Sequence, residues 1–235
     1  RHFFTPKILL RYAPGNMKQE DDGGRINNLN IFTLNRTPSN DNFENGLSAT
    51  LGFNYEIDAK EKKFLFSGGQ IINQKENKKM SNESSLNEKL SDFVGSASFN
   101  YSDKFNFDYK FAVDQNYKDL NYNDFNTTLN FNSVDINLNY LKETEHYGQT
   151  EYFETNVSYL KDVNEKLSIK GKRNLITNSA EYYDLSYEYF NDCLKAGLVY
   201  RREFYNDSEV EQEDTLMFKI TLIPFGNLTS QTVNK

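Results

Sequence analysis

Phe105-Asn106-Phe107-Asp108-Tyr109-Lys110-Phe111-Ala112-Val113-Asp114 alternates ring or aliphatic side chains with mostly polar ones. A period of two puts the first set on one face of an extended strand and the second on the other. The stretch Leu47-Ser48-Ala49-Thr50-Leu51-Gly52-Phe53-Asn54-Tyr55-Glu56 reads the same way. Roughly ten residues is the length that crosses a bilayer as a tilted strand. A sheet built from such strands, apolar on one face and polar on the other, is the wall of an outer-membrane barrel. A soluble sheet with aromatic cross-strand pairs shares the pattern and is the alternative.

Composition favours the barrel. The 235 residues include 19 Phe and 16 Tyr but no Trp, and only 37% of the chain is hydrophobic. Many rings with few aliphatics suit a wall with one wet face and aromatic girdles at its rims. The formal charge is -7, and no basic block argues for nucleic acid. No run approaches the length of an apolar transmembrane helix. The start, Arg1-His2-Phe3-Phe4, is not a signal peptide, and the chain is expected to begin inside a longer protein.

Alternation and breakers together mark thirteen candidate strands: 5–12, 28–35, 47–56, 63–72, 92–101, 105–114, 123–131, 134–141, 152–160, 166–174, 181–189, 193–204 and 215–223. The connections alternate too. Those at 58–62, 102–104, 132–133, 162–165 and 190–192 are short, whereas 74–91, 115–122, 142–151 and 205–214 are longer and polar. Short turns on one rim and long loops on the other are the mark of an outer-membrane barrel. In this scheme 13–27 falls on the short-turn, periplasmic rim, where its Pro14, Gly15, Gly23 and Gly24 mark irregular backbone. Thirteen antiparallel strands cannot close on each other with antiparallel pairing. The expected fold is therefore an all-β, antiparallel barrel wall that is incomplete in this chain. Residues 1–235 form that one domain, ending in a short tail at 227–235.

Candidate sites are few. Lys166, Ser168, Lys170 and Lys172 share one face of a strand whose other face carries Leu167 and Ile169. These lysines are possible lumenal contacts for an anionic ligand. The competing reading is a hydrated wall in which Asp184 and Glu188 of the next strand compensate them. Gly68, Gly69, Gly95 and Gly52 lie within strands, which signals a bend or a closely packed partner. His146 sits in a charge cluster, Glu143-Thr144-Glu145-His146, read as a solvated loop rather than a cation site. Cys193 is the only cysteine and cannot bridge within the chain. No residue set supports catalysis, no Gly-rich phosphate loop precedes a helix, and neither enzyme activity nor a cofactor is expected. Phe105, Phe107, Tyr109, Phe111, Leu138, Leu185, Leu198, Leu216, Phe218, Ile220 and Leu222 are expected to face lipid.

The segment 192–205, Asp-Cys-Leu-Lys-Ala-Gly-Leu-Val-Tyr-Arg-Arg-Glu-Phe-Tyr, leads to 213–226, Glu-Asp-Thr-Leu-Met-Phe-Lys-Ile-Thr-Leu-Ile-Pro-Phe-Gly. Together they resemble the end of the LptD family, the lipopolysaccharide-assembly or organic-solvent-tolerance proteins, with the alphaproteobacterial branch nearest. Phe66-Ser67-Gly68-Gly69-Gln70, Ser91-Asp92-Phe93-Val94-Gly95, residues 6–12 and Asn35-Arg36-Thr37-Pro38 look like further landmarks of the C-terminal half of its barrel. The resemblance implies an outer-membrane translocon that inserts lipopolysaccharide into the outer leaflet. It also implies a periplasmic Lpt bridge delivering through an N-terminal jellyroll, and a lipoprotein plug like LptE within the barrel. By the same resemblance Thr215, Leu216, Met217, Phe218, Lys219, Ile220, Thr221, Leu222 and Ile223 form the last barrel strand, at a lateral gate. Pro224 would end its ladder, and its outer edge should await the barrel's first strand. Cys193 occupies a region where some members carry an interdomain disulfide. A passive diffusion porin shares the rings and the wet lumen and is the alternative function.

Overall fold

A computed structural model describes residues 1–21, 24–36, 42–144, 148–204 and 214–222, together with the backbone of 226–229. The strands are β1 (His2–Ala13), β2 (Gly46–Ala59), β3 (Lys62–Asn73), β4 (Phe93–Tyr101), β5 (Phe105–Val113) and β6 (Leu120–Phe131). They continue as β7 (Val134–Glu143), β8 (Thr150–Asp162), β9 (Glu165–Asn174), β10 (Ser179–Phe190), β11 (Leu194–Glu203), β12 (Asp214–Leu222) and the short β13 (Gly226–Thr229). The order within the sheet is the chain order. The ladders are antiparallel, and among the described residues none joins β1 to β12 or β13. The chain is thus an open antiparallel sheet, as its alternation requires.

The strand expected at 28–35 does not form. Asparagines there bond the local backbone instead of leaving it to a ladder. Asn27 Oδ1 accepts from the amides of Leu29 and Asn30, while Asn30 Oδ1 accepts from the amide of Asn27. The Ile31 amide then donates to Asn27 O, closing a tight turn. Twelve long strands remain, so the argument from an odd number falls away. The placement of 13–27 falls with it: β1 ends at Ala13 and β2 begins at Gly46, so the link between them belongs with the long loops rather than the short turns. The corrected alternation is cleaner than the expected one. The turns at 60–61, 102–104, 132–133, 163–164 and 191–193 have two or three residues, and every intervening connection up to β12 is longer.

The chain divides into two compact units, 1–125 with 141–150, and 126–140 with 151–235. In the first unit, register assigns the faces. Phe4, Phe53 and Phe66 sit near Phe111 on one side, with ring centroids 5.6 to 6.3 Å apart along the row. The opposite, polar face carries an unexpected core. Met17, Ile26 and Ile31 from 14–45, and Met80 and Leu86 from 74–92, bury themselves against Ile71, Val94, Ala112 and Tyr122 of the strands. Both long connections therefore fold over the polar face. The loop 74–92 is fixed by a 3-10 turn at Asn82–Ser84, with Ser81 Oγ accepting from the Glu83 amide.

The second unit keeps its two faces separate. Val157, Ile169, Leu185 and Tyr200 follow one another across the ladders from β8 to β11, and Leu216 is next on β12. All five are exposed. Of the expected lipid-facing positions, Leu185, Leu198, Leu216 and Phe218 are at least 43% exposed on this face. A row of open aliphatics and rings is unfavourable in water and suits a sheet bathed in lipid. Among the described residues no helix is long and apolar enough to cross a membrane, which says nothing of strands.

Candidate functional site

The first unit's polar face is held by buried charge. Glu44 receives the Arg36 guanidinium, with Nε 2.7 Å from Oε2, and lies 3.4 Å from Arg11 Nη1. Arg11 also donates to the carbonyls of Leu34 and Glu44, and Arg36 to the hydroxyls of Ser48 and Thr50. The cluster thus pins Leu34, Arg36 and Glu44 to β1 and β2. A second clamp joins Arg25 to β6 and β7. Its guanidinium lies 3.4 Å from the centroid of the Tyr122 ring, and its Nη1 donates to Glu143 at 2.7 Å. Glu143 is therefore buried and ion-paired rather than part of a solvated loop; Glu145 and His146 lie outside the described residues.

Two of the strand glycines make room for this packing. A Cβ on Gly52 would meet the Phe32 ring at 2.8 Å, and one on Gly69 would meet Ile31 at 3.2 Å. A packed partner accounts for these two, and it is the chain's own 14–45 segment; a Cβ on Gly68 or Gly95 would instead meet the ring of Phe93 or Phe111. Asn28 ties the same segment to β4 through Ser96 Oγ at 3.0 Å, and Lys7 lies over the Phe32 ring.

In the second unit the polar face is a grid of ion pairs. Lys170 pairs with Glu154 and Lys172 with Glu181, each at 2.7 Å. Arg201 meets Asp184 through two bonds of 2.7 Å, and Lys195 meets Glu188 at 3.0 Å. Lys170 and Lys172 are therefore compensated, but not by the carboxylates the sequence suggested. Asp184 and Glu188 face cations of β11 instead, while β8 and the start of β10 supply Glu154 and Glu181. Lys166 stands opposite Glu188 in the ladder and makes no ion pair among the described residues. Arg173 lies on the opposite face, reaching Asn178 Oδ1 at 2.6 Å. Sequence reading missed Arg201, Tyr152 and Tyr182, which complete this grid. The parity of Arg201 with Gly197 and Lys195 on β11 was the available signal.

The last long strand, β12, pairs with β11 from Asp214 to Leu222. Thr215, Met217, Lys219 and Thr221 alternate with Leu216, Phe218, Ile220 and Leu222 along it, the second set sharing the face of Leu198. Its outer edge is not wholly open, which corrects the expectation of a single neighbour. β13 pairs back onto Lys219–Leu222 on that side. Ile223 and Pro224 lie outside the described residues. Cys193 is exposed as a free thiol in the 191–193 turn, its amide donating to Asn191 Oδ1. Among the described residues no group of His, Cys, Asp or Glu is arranged to hold a metal ion.

Against known proteins, the family described as LptD, LPS transport system D, matches residues 1–186. The matched stretch holds the landmarks at 6–12, 35–38, 66–70 and 91–95 and stops short of β11 and β12. No curated protein matches the chain.

Proposed function

Because the chain belongs to the LptD family, an outer-membrane β-barrel group with a transport role, we infer that it forms part of the wall through which lipopolysaccharide is inserted into the outer leaflet. The observation that carries this reading is the separation of faces from β8 to β12. One face is a continuous apolar surface, and the other a wet, charge-compensated grid. Lipopolysaccharide has the same division, anionic saccharide at one end and acyl chains at the other. A route open only through a polar lumen would strand the acyl chains in water, at about 0.8 kcal/mol per CH₂. A lateral exit at the outer edge of β12 avoids that cost. Lipid then contacts Leu216 and Phe218, and saccharide passes Met217, Thr215 and Lys166. An open edge in hydrocarbon must still find partners for its backbone groups, so the edges of the sheet pair with further strands. A lipoprotein plug like LptE, and a periplasmic Lpt bridge acting through a jellyroll domain, complete the machine. Cys193 is then available for a bridge to another domain. The protein performs no bond chemistry.

A passive porin is the second reading, favoured by the fold of 14–45 over the polar face, which would narrow a pore. Photo-cross-linking in cells separates the two. A benzophenone side chain at Ser168 on the polar face should form lipopolysaccharide adducts that vanish when lipopolysaccharide synthesis is stopped. A porin gives no such adducts, and their absence at both Ser168 and Met217 would count against translocation.

A further inference from the structure

Two tyrosine rings and three cations share one patch on the polar face of the second unit. Lys172 Nζ lies 4.4 Å from the centroid of Tyr152, and Lys170 Nζ and Arg201 Cζ lie 5.5 and 4.8 Å from that of Tyr182. Register builds the cluster. Lys172 stands opposite both Glu154 and Tyr182, and Asp184 stands between Lys170 and Arg201. A bulge between Ala180 and Tyr182 inserts Glu181, so two consecutive residues of β10 reach Lys172. The cationic side chains remain 25 to 38% exposed, open to a ligand on that face.

We propose that this patch is a binding site for an acidic saccharide. Tyr152 and Tyr182 stack on the apolar faces of sugar rings. Lys170, Lys172 and Arg201 exchange their carboxylate partners for the ligand's phosphate groups, and the released carboxylates of Glu154, Glu181 and Asp184 accept from sugar hydroxyls. The composition selects the class. A simple anion has no use for two rings, a neutral glycan has no use for three cations, and an acyl chain would leave six charges unsolvated. Every cation already has a counter-charge, so an arriving anion trades one partner for another and is held weakly. That suits a ligand that passes on. The saccharide's identity as the lipopolysaccharide headgroup rests on the function proposed above.

The test uses the full-length protein in detergent and a defined probe, the phosphorylated oligosaccharide left after lipopolysaccharide is stripped of its acyl chains. Binding is read by saturation-transfer NMR, with folding confirmed by heat-modifiable migration. Tyr182→Ala should weaken binding about tenfold, as should the neutral pair Asp184→Asn with Arg201→Gln, while Tyr182→Phe keeps the wild-type affinity. Phosphatase treatment of the probe should also weaken it about tenfold. If Tyr182→Ala fails to fold, the pair Glu154→Gln with Lys170→Gln takes its place with the same expectation. Unchanged affinity in the folded variants, or equal affinity for the dephosphorylated probe, would overturn the site. So would a benzophenone at Tyr182 that cross-links only to protein. Loss of probe binding in a protein whose depletion leaves lipopolysaccharide delivery intact would uphold the site and defeat the functional reading. Dependence of delivery on the protein with probe binding indifferent to Tyr182 would do the reverse.

Discussion

Glu44 is the residue on which the first unit's interior turns. Its carboxylate faces Arg11 and Arg36, and all three side chains are buried. Two guanidiniums around one carboxylate are tolerable because backbone carbonyls and the hydroxyls of Ser48 and Thr50 take most of the remaining donors, Arg11 Nη1 alone keeping only its ion pair with Glu44. Replacing Glu44 by Gln keeps the volume and removes the counter-charge. The expected cost is about 3–5 kcal/mol, read as a lowered urea midpoint for the detergent-folded protein. An unchanged midpoint would show that the carbonyls suffice alone. Gly52 makes a second test. Gly52→Val places methyls where the Phe32 ring lies, and a Cβ there would also meet Gly68 O at 2.5 Å. Faster proteolysis within 14–45, with the strands still resistant, is the expected result. Neither contact was legible in the sequence. Arg11 and Glu44 are 33 residues apart, and a glycine in a strand announces a close approach without naming what approaches.

At the scale of elements, a charge on the apolar face is the sharpest test. Phe218 is half exposed between the rows of Leu216 and Ile220. Phe218→Arg should destabilise the barrel by about 2–4 kcal/mol if it lies near mid-membrane, whereas Met217→Arg on the polar face should be mild. Equal effects on heat-modifiable assembly would dissolve the assignment of faces. The pairing of β13 gives a second test. Truncation after Leu222 should raise hydrogen exchange over 219–222 while leaving 214–218 as it was. Most elements were legible because a period of two is a strong signal: all twelve long strands match their expected spans within three residues at every end. Segment 28–35 deceived because Asn28-Leu29-Asn30-Ile31 also alternates. Asn27 and Asn30 decide it, since their side chains serve the turn, and the adjacent Ile31 and Phe32 break the alternation. The short β13 carries no periodic signal at all.

At the scale of the whole molecule, the alternation of short turns and longer connections was visible in the sequence, and it sharpens once 28–35 is removed. What the sequence could not show is that two of the long connections turn inward and build a core on the polar face. Met17, Ile26, Met80 and Leu86 are too sparse and too polar in their surroundings to announce one. The candidate lysines were legible as a row on β9, but their partners were not, because pairing across a sheet depends on register and on the bulge at Glu181. Family membership joins this wall to transport, and lipopolysaccharide insertion is the claim that remains to be measured. The direct measurement is the arrival of newly made lipopolysaccharide at the cell surface as the full-length protein is depleted. The account predicts that arrival falls in step with the protein, before the uptake of small solutes changes. Undiminished arrival, with solute uptake falling instead, would contradict it and leave a porin.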